Sequence, residues 1–436
     1  MYHSCDSNAA AGSGILHTFR GFRSDESLKT NTEISAIRGG WMRIVVSACT
    51  ATSAAGKGLA ELRRSIVERN SGLRHNDLDN CAIDTWIGRI SGLEDTNLPA
   101  RFRNLDSRNN RLAWMGLQQD GFLTSLQKVV DRVGSGRVGV VMGTSTSSIG
   151  RTEEAYASLE ASGTMAQNYR QPGVHNLHSP GIFVAAATGL EGPSVTISTA
   201  CSSSAKVFAT ASRWIRHGVA DAVLVGGVDS LCLSTLYGFN SLQLVSASQC
   251  RPFDVQRDGI NIGEAAGFAV LAREELAPDA EFLLLGYGES SDAWHMSHPH
   301  PEGTGALLAI DRALQCSRLE ARDIDYINMH GTASRANDLS ETYALAERFP
   351  QRTSASSSKG WTGHTLGAAG ILEAVITLDA MKQGLVPGTL NCETPDPEFR
   401  FPVLKENLRR SLRYAMTSSF GFGGNNAVLI FGRAGE

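Results

Sequence analysis

The sequence predicts an α/β fold, because strand-like and helix-like segments alternate along most of the chain. Two segments, 137–142 and 220–228, are almost continuously apolar and rich in valine. Such runs are typical of strands buried on both faces by helices. Apolar residues at helical spacing follow the strands, as over 205–215, and a second half beginning near residue 276 repeats the pattern of the first. Together these observations indicate a layered sheet-and-helix architecture.

Composition limits the classes of function. The 436 residues carry 40 basic and 44 acidic side chains, a net charge of −4, which argues against non-specific nucleic-acid binding as the main function. No apolar run approaches the roughly 20 residues of a membrane-spanning helix, so we expect no membrane span. The eight cysteines are scattered without a C-x-x-C pair, which signals neither a zinc knuckle nor a disulfide framework. We therefore expect a cytoplasmic protein.

The first 41 residues differ from the rest, being polar, aperiodic and rich in glycine, serine and asparagine. We predict that 1–41 form a disordered N-terminal extension, with an ordered arm on a partner subunit as the alternative. The predicted halves are then 42–275 and 276–436.

In the first half, periodicity predicts a helix over 56–68, a buried helical stretch at 112–117, a strand at 137–142 and a close-packed helix over 179–188. Strands are expected at 220–228 and 267–272. In the second half, the strand running into Gly331-Thr332 parallels the one running into Gly143-Thr144. Strand, turn and helix recur over 354–382, and a strand pair encloses the glycine-rich loop 420–426. That loop suits a lid or a closely placed backbone amide, or alternatively a plain hairpin turn.

The stretch 195–208 reads as a buried strand, a turn of small residues and a helix, with Cys201 at the turn. A thiol there faces unpaired N–H groups and the positive end of the helix dipole, so we expect its pKa to lie below the free value of about 8.5. The layout is similar to the nucleophile elbow of acyl-transfer enzymes. A buried structural thiol is the alternative.

Groups that could take part in catalysis or substrate binding also occur at 328–334, at 358–364 and in the loop 420–426. Each histidine, His330 and His364, stands at a strand end or a turn into a helix, where α/β proteins build sites, although either could be structural. The cluster His295, His298 and His300 has spacing that could suggest a metal site. Nearby prolines favour an ordinary loop, so we expect no metal.

Together these stretches resemble the β-ketoacyl-acyl-carrier-protein synthases, the condensing enzymes of fatty-acid and polyketide synthesis. The resemblance covers 42–436, and its motifs are Thr199-Ala-Cys-Ser-Ser, Arg251-Pro-Phe-Asp, Arg257-Asp-Gly, His330-Gly-Thr, Lys359-Gly-Trp-Thr-Gly-His364 and Phe420-Gly-Phe-Gly-Gly. It is closest to the elongating type with a Cys-His-His triad. It implies a thiolase-like fold of five layers, α-β-α-β-α, built from two similar halves, and a dimer whose acyl pocket reaches the subunit interface.

The resemblance also implies roles. Cys201 would accept the acyl group, and His330 and His364 would stabilise the enolate left by decarboxylation of a malonyl thioester. The backbone N–H groups of Cys201 and Phe422 would form the oxyanion hole, with the Phe422 ring as a gate. Charged groups at Lys359 and Glu341 would orient the histidines.

The pantetheine arm would hydrogen-bond to Thr332 and Ser334. This arm, 4′-phosphopantetheine, would arrive on an acyl carrier protein, so no resident cofactor is expected. The basic side chains Arg101, Arg103, Arg108 and Arg151 are candidates for docking that acidic carrier protein, or else a solvated face. The dimer partner would be an identical chain or a ketosynthase-like chain-length factor.

The sequence departs from the family pattern at several positions. Ala333-Ser334 stands where Gly-Thr is usual, although both hydroxyls of the arm-binding pair remain. Ile260 replaces a common aromatic residue, and Asn425 replaces a usual threonine. Small polar residues at 144–148, in a region that shapes the acyl pocket of relatives, suggest a long, polyene-like or aromatic-ended acyl chain. An acyltransferase on the same fold and a non-catalytic chain-length-factor-like partner are the other functions considered.

Overall fold

The structure is a computed structural model, and it describes residues 42–159 and 163–435. The predicted N-terminal extension, and its alternative as an arm, lie outside the described residues. Within that part of the chain, no helix combines the length and apolar character that crossing a membrane requires.

The described strands are β1 Ile44–Ser53, β2 Gly56–Lys57, β3 Arg74–His75, β4 Trp86–Gly88, β5 Val138–Gly143, β6 Ser194–Ile197, β7 Ala222–Asp229, β8 Ile262–Gly263, β9 Ala265–Arg273, β10 Phe282–Ser291, β11 Tyr326–Asn328, β12 Ser354–Ser356, β13 Leu385–Val386, β14 Leu408–Arg409, β15 Tyr414–Gly421 and β16 Asn425–Arg433. The described α-helices are α1 Leu59–Glu68, α2 Arg108–Leu117, α3 Phe122–Val133, α4 Ile149–Ala157, α5 Ser179–Thr188, α6 Ser203–Arg216, α7 Leu233–Ser241, α8 Thr304–Ser317, α9 Arg335–Arg348, α10 Lys359–Thr362 and α11 Ala369–Gln383.

The main sheet has the strand order β12-β11-β15-β16-β10-β1-β9-β7-β5-β6. Its two ends are built alike. In β6-β5-β7-β9-β1 and in β12-β11-β15-β16-β10, the first two pairings are parallel and the next two antiparallel. Within the main sheet, β1 and β10 join the halves through two residue pairs, Val45 with Leu283 and Val46 with Phe282. The internal repeat seen in the sequence is therefore a repeat of topology, and residue 276 falls between β9 and β10.

Helices α6 and α11 form the middle layer, because each contacts strands of both halves. Helices α2, α3 and α5 cover the outer face of the first half, and α8 covers that of the second, with α9 packed against α8. The five-layered thiolase-like fold is confirmed. Burial on two sides explains why α11 is apolar around most of its circumference rather than along one stripe.

The predicted elements are present, but the strand before Cys201 is not buried as predicted: β6 lies at the end of the sheet, with Ser194 exposed and the next three residues half-buried. One helix start also differs from the prediction. Helix α5 spans the predicted residues 179–188, and the glycine-rich loop joins β15 to β16. The helix expected from residue 56 begins at Leu59, because Gly56–Lys57 pair with the end of β1. Gly58 then turns the chain at φ 82°, a conformation that glycine adopts readily.

Candidate active site

Cys201 lies in a strained turn between β6 and α6. Ala200 has φ +53°, a left-handed conformation that costs a non-glycine residue energy, and Cys201 is only 5% exposed. The Ser203 hydroxyl accepts a hydrogen bond from the Thr199 N–H at 2.9 Å and donates to the Ala200 carbonyl at 2.5 Å. These bonds hold the sharp turn that was predicted for a nucleophile elbow.

The predicted low pKa of Cys201 is wrong for the resting thiol. Burial raises the pKa to about 11, although the charge of Lys359 and the N–H groups of Phe422 and Cys201 itself oppose the rise. Desolvation outweighs the favourable dipoles because the sulfur is almost entirely removed from water. The resting cysteine is therefore a neutral thiol.

His364 supplies the nearest base to that thiol. Its Nε2 lies 2.9 Å from the Cys201 Sγ, and its backbone N–H donates to the Asn261 carbonyl at 2.7 Å. Burial, followed by the charge of Lys359, lowers the pKa of His364 well below its usual range, so the ring is neutral near pH 7. A neutral imidazole accepts the thiol proton at Nε2.

His330 completes the cluster from the end of β11. Its ring centroid lies 5.3 Å from that of His364 at an interplanar angle of 86°, and one ligand atom from each of Cys201, His330 and His364 lies within 4.8 Å of the others. Burial, then the charge of Lys359 and the neighbouring His364, lower the pKa of His330 well below its usual range. Both rings are therefore neutral hydrogen-bonding groups.

Lys359 sets the tautomer of His330. Its Nζ lies 3.4 Å from His330 Nδ1 and also contacts the His330 carbonyl oxygen and Glu373 Oε1. An ammonium group can only donate, so Nδ1 acts as the acceptor and the ring proton resides on Nε2. Lys359 therefore lies beside His330, where it can play the orienting role predicted for it.

Two buried carboxylates, Glu341 and Glu373, support the histidines, whereas only Glu341 was predicted from the sequence. Glu341 accepts the N–H groups of His330 at 2.7 Å and Gly331 at 2.8 Å, and so fixes the loop that carries His330. The carboxylate that pairs with Lys359 is Glu373, which sequence reasoning missed. Its sequence signal is an acidic residue on an otherwise apolar face of α11. Burial raises the pKa of Glu341 and of Glu373 to about 7.

The glycine-rich loop closes the cluster from the other side. The backbone N–H groups of Phe422 and of Cys201 itself both act to lower the pKa of the Cys201 thiol, which places both donors near the sulfur. The Phe422 ring packs on Phe239 with centroids 5.4 Å apart. Two consecutive glycines with positive φ, Gly423 at 74° and Gly424 at 71°, give the loop its turn.

A cavity of about 400 Å³ connects the cluster to the surface. Cys201, His330 and His364 lie in its wall, as do Thr332 and Ser334, whose hydroxyl groups are 2.9 Å apart. The residues expected to bind the pantetheine arm therefore line the path that leads to the predicted nucleophile.

The four candidate docking arginines have different surroundings. Arg101 and Arg103 are exposed. Arg151 forms an ion pair with Glu154 at 2.5 Å, and Arg108 binds the fully buried Glu264 at 2.6 Å as well as Glu94 at 2.7 Å. We withdraw Arg108 from the docking surface, because two carboxylates already neutralise its guanidinium.

Two other sequence features have defined surroundings. The Nδ1 atoms of His295 and His298 lie 3.1 Å apart on an exposed loop, and within the described ranges the three-ligand cluster with metal-binding geometry is that of Cys201 with the two active-site histidines. The buried cation of Lys359 beside that cluster disfavours a metal ion there. In the segment 144–148, the hydroxyl of Thr144 donates to the buried Asp229 at 2.6 Å, which gives this residue a structural role.

Comparison with known proteins identifies the family. The family models "Beta-ketoacyl synthase, N-terminal domain" and "Beta-ketoacyl synthase, C-terminal domain" match residues 42–277 and 282–393. A chloroplastic 3-oxoacyl-[acyl-carrier-protein] synthase I from Hordeum vulgare is 30% identical over 429 residues, covering 88% of this chain and 92% of that protein. A mitochondrial 3-oxoacyl-[acyl-carrier-protein] synthase from Arabidopsis thaliana is 40% identical over 262 residues, covering 56% of this chain and 57% of that protein.

Solved structures agree. A ketosynthase from Xenorhabdus doucetiae, in complex with its chain length factor, superposes with a TM-score of 0.79 at 34% identity, covering 90% of this chain and 98% of that one. The resemblance inferred from the motifs is confirmed over most of the chain. The chain belongs to the β-ketoacyl synthase family of condensing acyltransferases.

Proposed function

We propose that this enzyme joins an acyl chain held on Cys201 to a two-carbon unit from a malonyl thioester, with both substrates delivered by an acyl carrier protein. The observation that carries the proposal is the 2.9 Å contact between Cys201 Sγ and His364 Nε2 beside a second neutral imidazole. Membership of the β-ketoacyl synthase family supports the reaction type.

Acyl loading is the first step. The Cys201 sulfur attacks the thioester carbonyl as its proton passes to His364 Nε2, and the carbon–sulfur bond to the pantetheine thiol then breaks. The proton leaves with that thiol, since the low pKa of His364 favours its return to the neutral form. The N–H groups of Cys201 and Phe422 stabilise the intermediate oxyanion.

Decarboxylation is the second step. The bond between the malonyl carboxylate and its α-carbon breaks, CO2 leaves, and the electron pair forms an enolate on the thioester. The Nε2–H of His330, fixed by Lys359, donates to the enolate oxygen. Once Cys201 is acylated, its sulfur has no hydrogen to donate to His364 Nε2. The neutral ring can then carry its own proton on Nε2 and donate a second hydrogen bond to the enolate oxygen.

Condensation is the third step. The enolate carbon attacks the acyl carbonyl on Cys201, a carbon–carbon bond forms, and the carbon–sulfur bond to Cys201 breaks. The cysteine takes up a proton, and the β-ketoacyl product remains on the carrier protein, two carbons longer. Preorganised neutral donors suit this chemistry because they stabilise developing charge without reorganisation.

The carrier protein would present its pantetheine arm to Thr332 and Ser334 in the cavity wall. The chain itself would need no resident cofactor. Arg101 and Arg103, which are exposed, and Arg151 remain the candidates for docking its acidic surface. Charge reversal at Arg101 or Arg103 should raise KM for carrier-bound substrate and leave KM for small thioesters unchanged, whereas an unchanged KM for carrier-bound substrate would remove that assignment.

All seven described cysteines are free, which supports a reducing compartment such as the cytoplasm.

A ketosynthase-like chain is the proposed dimer partner. Strand β6 ends the sheet, with Ser194 exposed, and large exposed apolar side chains lie on or just before α5, at Leu177 and Ile182. An open strand beside an apolar surface suits strand addition by a partner. The Xenorhabdus doucetiae relative forms its complex with a chain length factor. Native mass spectrometry of the protein, alone and co-expressed with its neighbouring genes, would separate a homodimer from such a heterodimer.

The acyl chain is proposed to be long, polyene-like or aromatic-ended, from the small polar residues at 144–148. Competition among acyl thioesters for loading onto Cys201 tests this assignment. Preference for medium-length saturated chains would contradict it.

The central experiment incubates the protein with acyl thioester and then malonyl-carrier protein. Acylation at Cys201, detected by mass spectrometry, would contradict a non-catalytic chain-length-factor role. Release of CO2 with formation of a β-ketoacyl product would contradict simple acyl transfer to an alcohol or amine. Absence of both reactions would refute the proposed function.

A further inference from the structure

The cavity contains one permanently cationic side chain with no role in the mechanism above, Arg335. It is the first residue of α9, it is exposed, and it lies in the cavity wall directly after the predicted arm-binding residue Ser334. Resting on the proposed function, we propose that Arg335 binds the phosphate of the substrate arm and makes the enzyme prefer thioesters that carry this phosphate.

The charge balance of the cavity supports this role. Its wall also contains two carboxylates, Asp258 and Asp292, which would repel an incoming phosphate. Both have neutral partners: Asp258 accepts from the Ser246 hydroxyl at 2.6 Å, and Asp292 accepts from the Asn426 amide at 2.7 Å. Arg335 is therefore the side chain in this wall that offers a phosphate a permanent opposite charge.

The guanidinium of Arg335 is available for this contact. Among residues 42–159 and 163–435, no carboxylate lies within 4.0 Å of it, whereas Arg257 and Arg108 are each held by acidic partners. A guanidinium presents a fork of N–H donors that matches two phosphate oxygens, and such charge-assisted pairs are stronger than neutral ones.

The position along the arm is also suitable. The thiol end of the arm must reach Cys201 deep in the cavity, and the phosphate is at its opposite end. Thr332, Ser334 and Arg335 follow one another along the chain from the His330 loop to the exposed start of α9. Exposure rises in the same order, from the buried Thr332 through the half-buried Ser334 to the exposed Arg335, which suits hydroxyl groups beside the inner part of the arm and a guanidinium at its outer, phosphate end.

The test compares kcat/KM for Cys201 acylation by two probes, acyl-phosphopantetheine and acyl-pantetheine, with the acyl chain that the wild type accepts best. We expect kcat/KM of the wild type to be about tenfold higher with the phosphorylated probe than with acyl-pantetheine. Arg335→Gln should lower kcat/KM for the phosphorylated probe alone, so that the two probes become about equal. Arg335→Lys should keep part of the preference. Arg64→Gln, at an exposed arginine on α1, is the matched control and should keep all of it.

Retention of the wild-type preference by Arg335→Gln would overturn the proposal, as would an equal loss with both probes. A third arm uses carrier-protein-bound substrate. Loss confined to that substrate would place Arg335 against the carrier protein's surface and would likewise overturn phosphate recognition. Failure of the wild type to become acylated by any probe would instead contradict the proposed function.

Discussion

Removal of the buried cation by Lys359→Met tests how His330 is prepared for catalysis. Lys359 Nζ donates to His330 Nδ1 at 3.4 Å and pairs with Glu373, and both ion-pair partners are at most 2% exposed. Loss of a hydrogen bond from a charged donor costs about 1.5–3 kcal/mol, so we expect malonyl decarboxylation to slow by about 10- to 100-fold. The unpaired Glu373 should also lower the free energy of unfolding by about 3–5 kcal/mol.

The destabilisation should depend on pH in a defined direction. Burial already raises the pKa of Glu373 to about 7 with Lys359 opposing the rise, so removal of Lys359 must raise it further. Folded Glu373 then binds a proton that the unfolded chain releases at lower pH. Stability of the variant relative to the wild type therefore falls as pH rises from about 6 to 8, by at most about 1.4 kcal/mol per pH unit.

A double variant separates stability from catalysis. Lys359→Met with Glu373→Leu replaces the ion pair by apolar groups, which is often neutral or stabilising. Chemical denaturation should show recovered stability, while CO2 release from malonyl thioester should stay low, because His330 still lacks its donor. Recovery of decarboxylation together with stability would refute the argument that Lys359 fixes the His330 tautomer.

Three further predictions follow from the same geometry. With a pKa of about 11, Cys201 should react with iodoacetamide about ten times faster per pH unit between pH 7 and 10, and a plateau near pH 8 would contradict the neutral thiol. Gly331→Ala should lower the free energy of unfolding by about 1–3 kcal/mol in urea titration, because its Cβ would lie 2.4 Å from Phe253 at φ +34°, whereas Gly136→Ala, which meets open space, should cost less than about 1 kcal/mol. Arg108→Ala should lower Tm, since its buried carboxylate partner loses its cation, but leave KM for carrier-bound substrate unchanged; a raised KM would restore it to the docking surface.

Local patterns in the sequence were sufficient for the elements that carry the site. Small and β-branched residues before Cys201, with helical spacing after it, predicted the turn between β6 and α6. The parallel between the Gly331 and Gly143 strand ends predicted two corresponding strands, β11 and β5, which occupy equivalent places in the two halves. The convergence of Cys201, His330 and His364 followed from family resemblance, because spacing along the chain carries no information about distances across 129 and 163 residues.

Properties that arise only from packing could not be predicted from the sequence. Burial, which outweighs the local dipoles at Cys201, depends on the glycine-rich loop and the middle helices closing over the sulfur. Glu373 was missed because α11 is apolar around most of its circumference, so its sequence does not show that this acidic residue faces inward rather than solvent. The ion pair of Arg108 with Glu264 joins residues 156 positions apart, and charge patterning along α2 could not reveal it.

The most direct measurement of the central claim is product analysis with Cys201→Ala beside the wild type, using acyl and malonyl thioesters on carrier protein. We predict that the wild type forms a β-ketoacyl product two carbons longer, whereas Cys201→Ala forms none yet still releases CO2 from malonyl thioester through its two histidines. A β-ketoacyl product from Cys201→Ala would contradict the account.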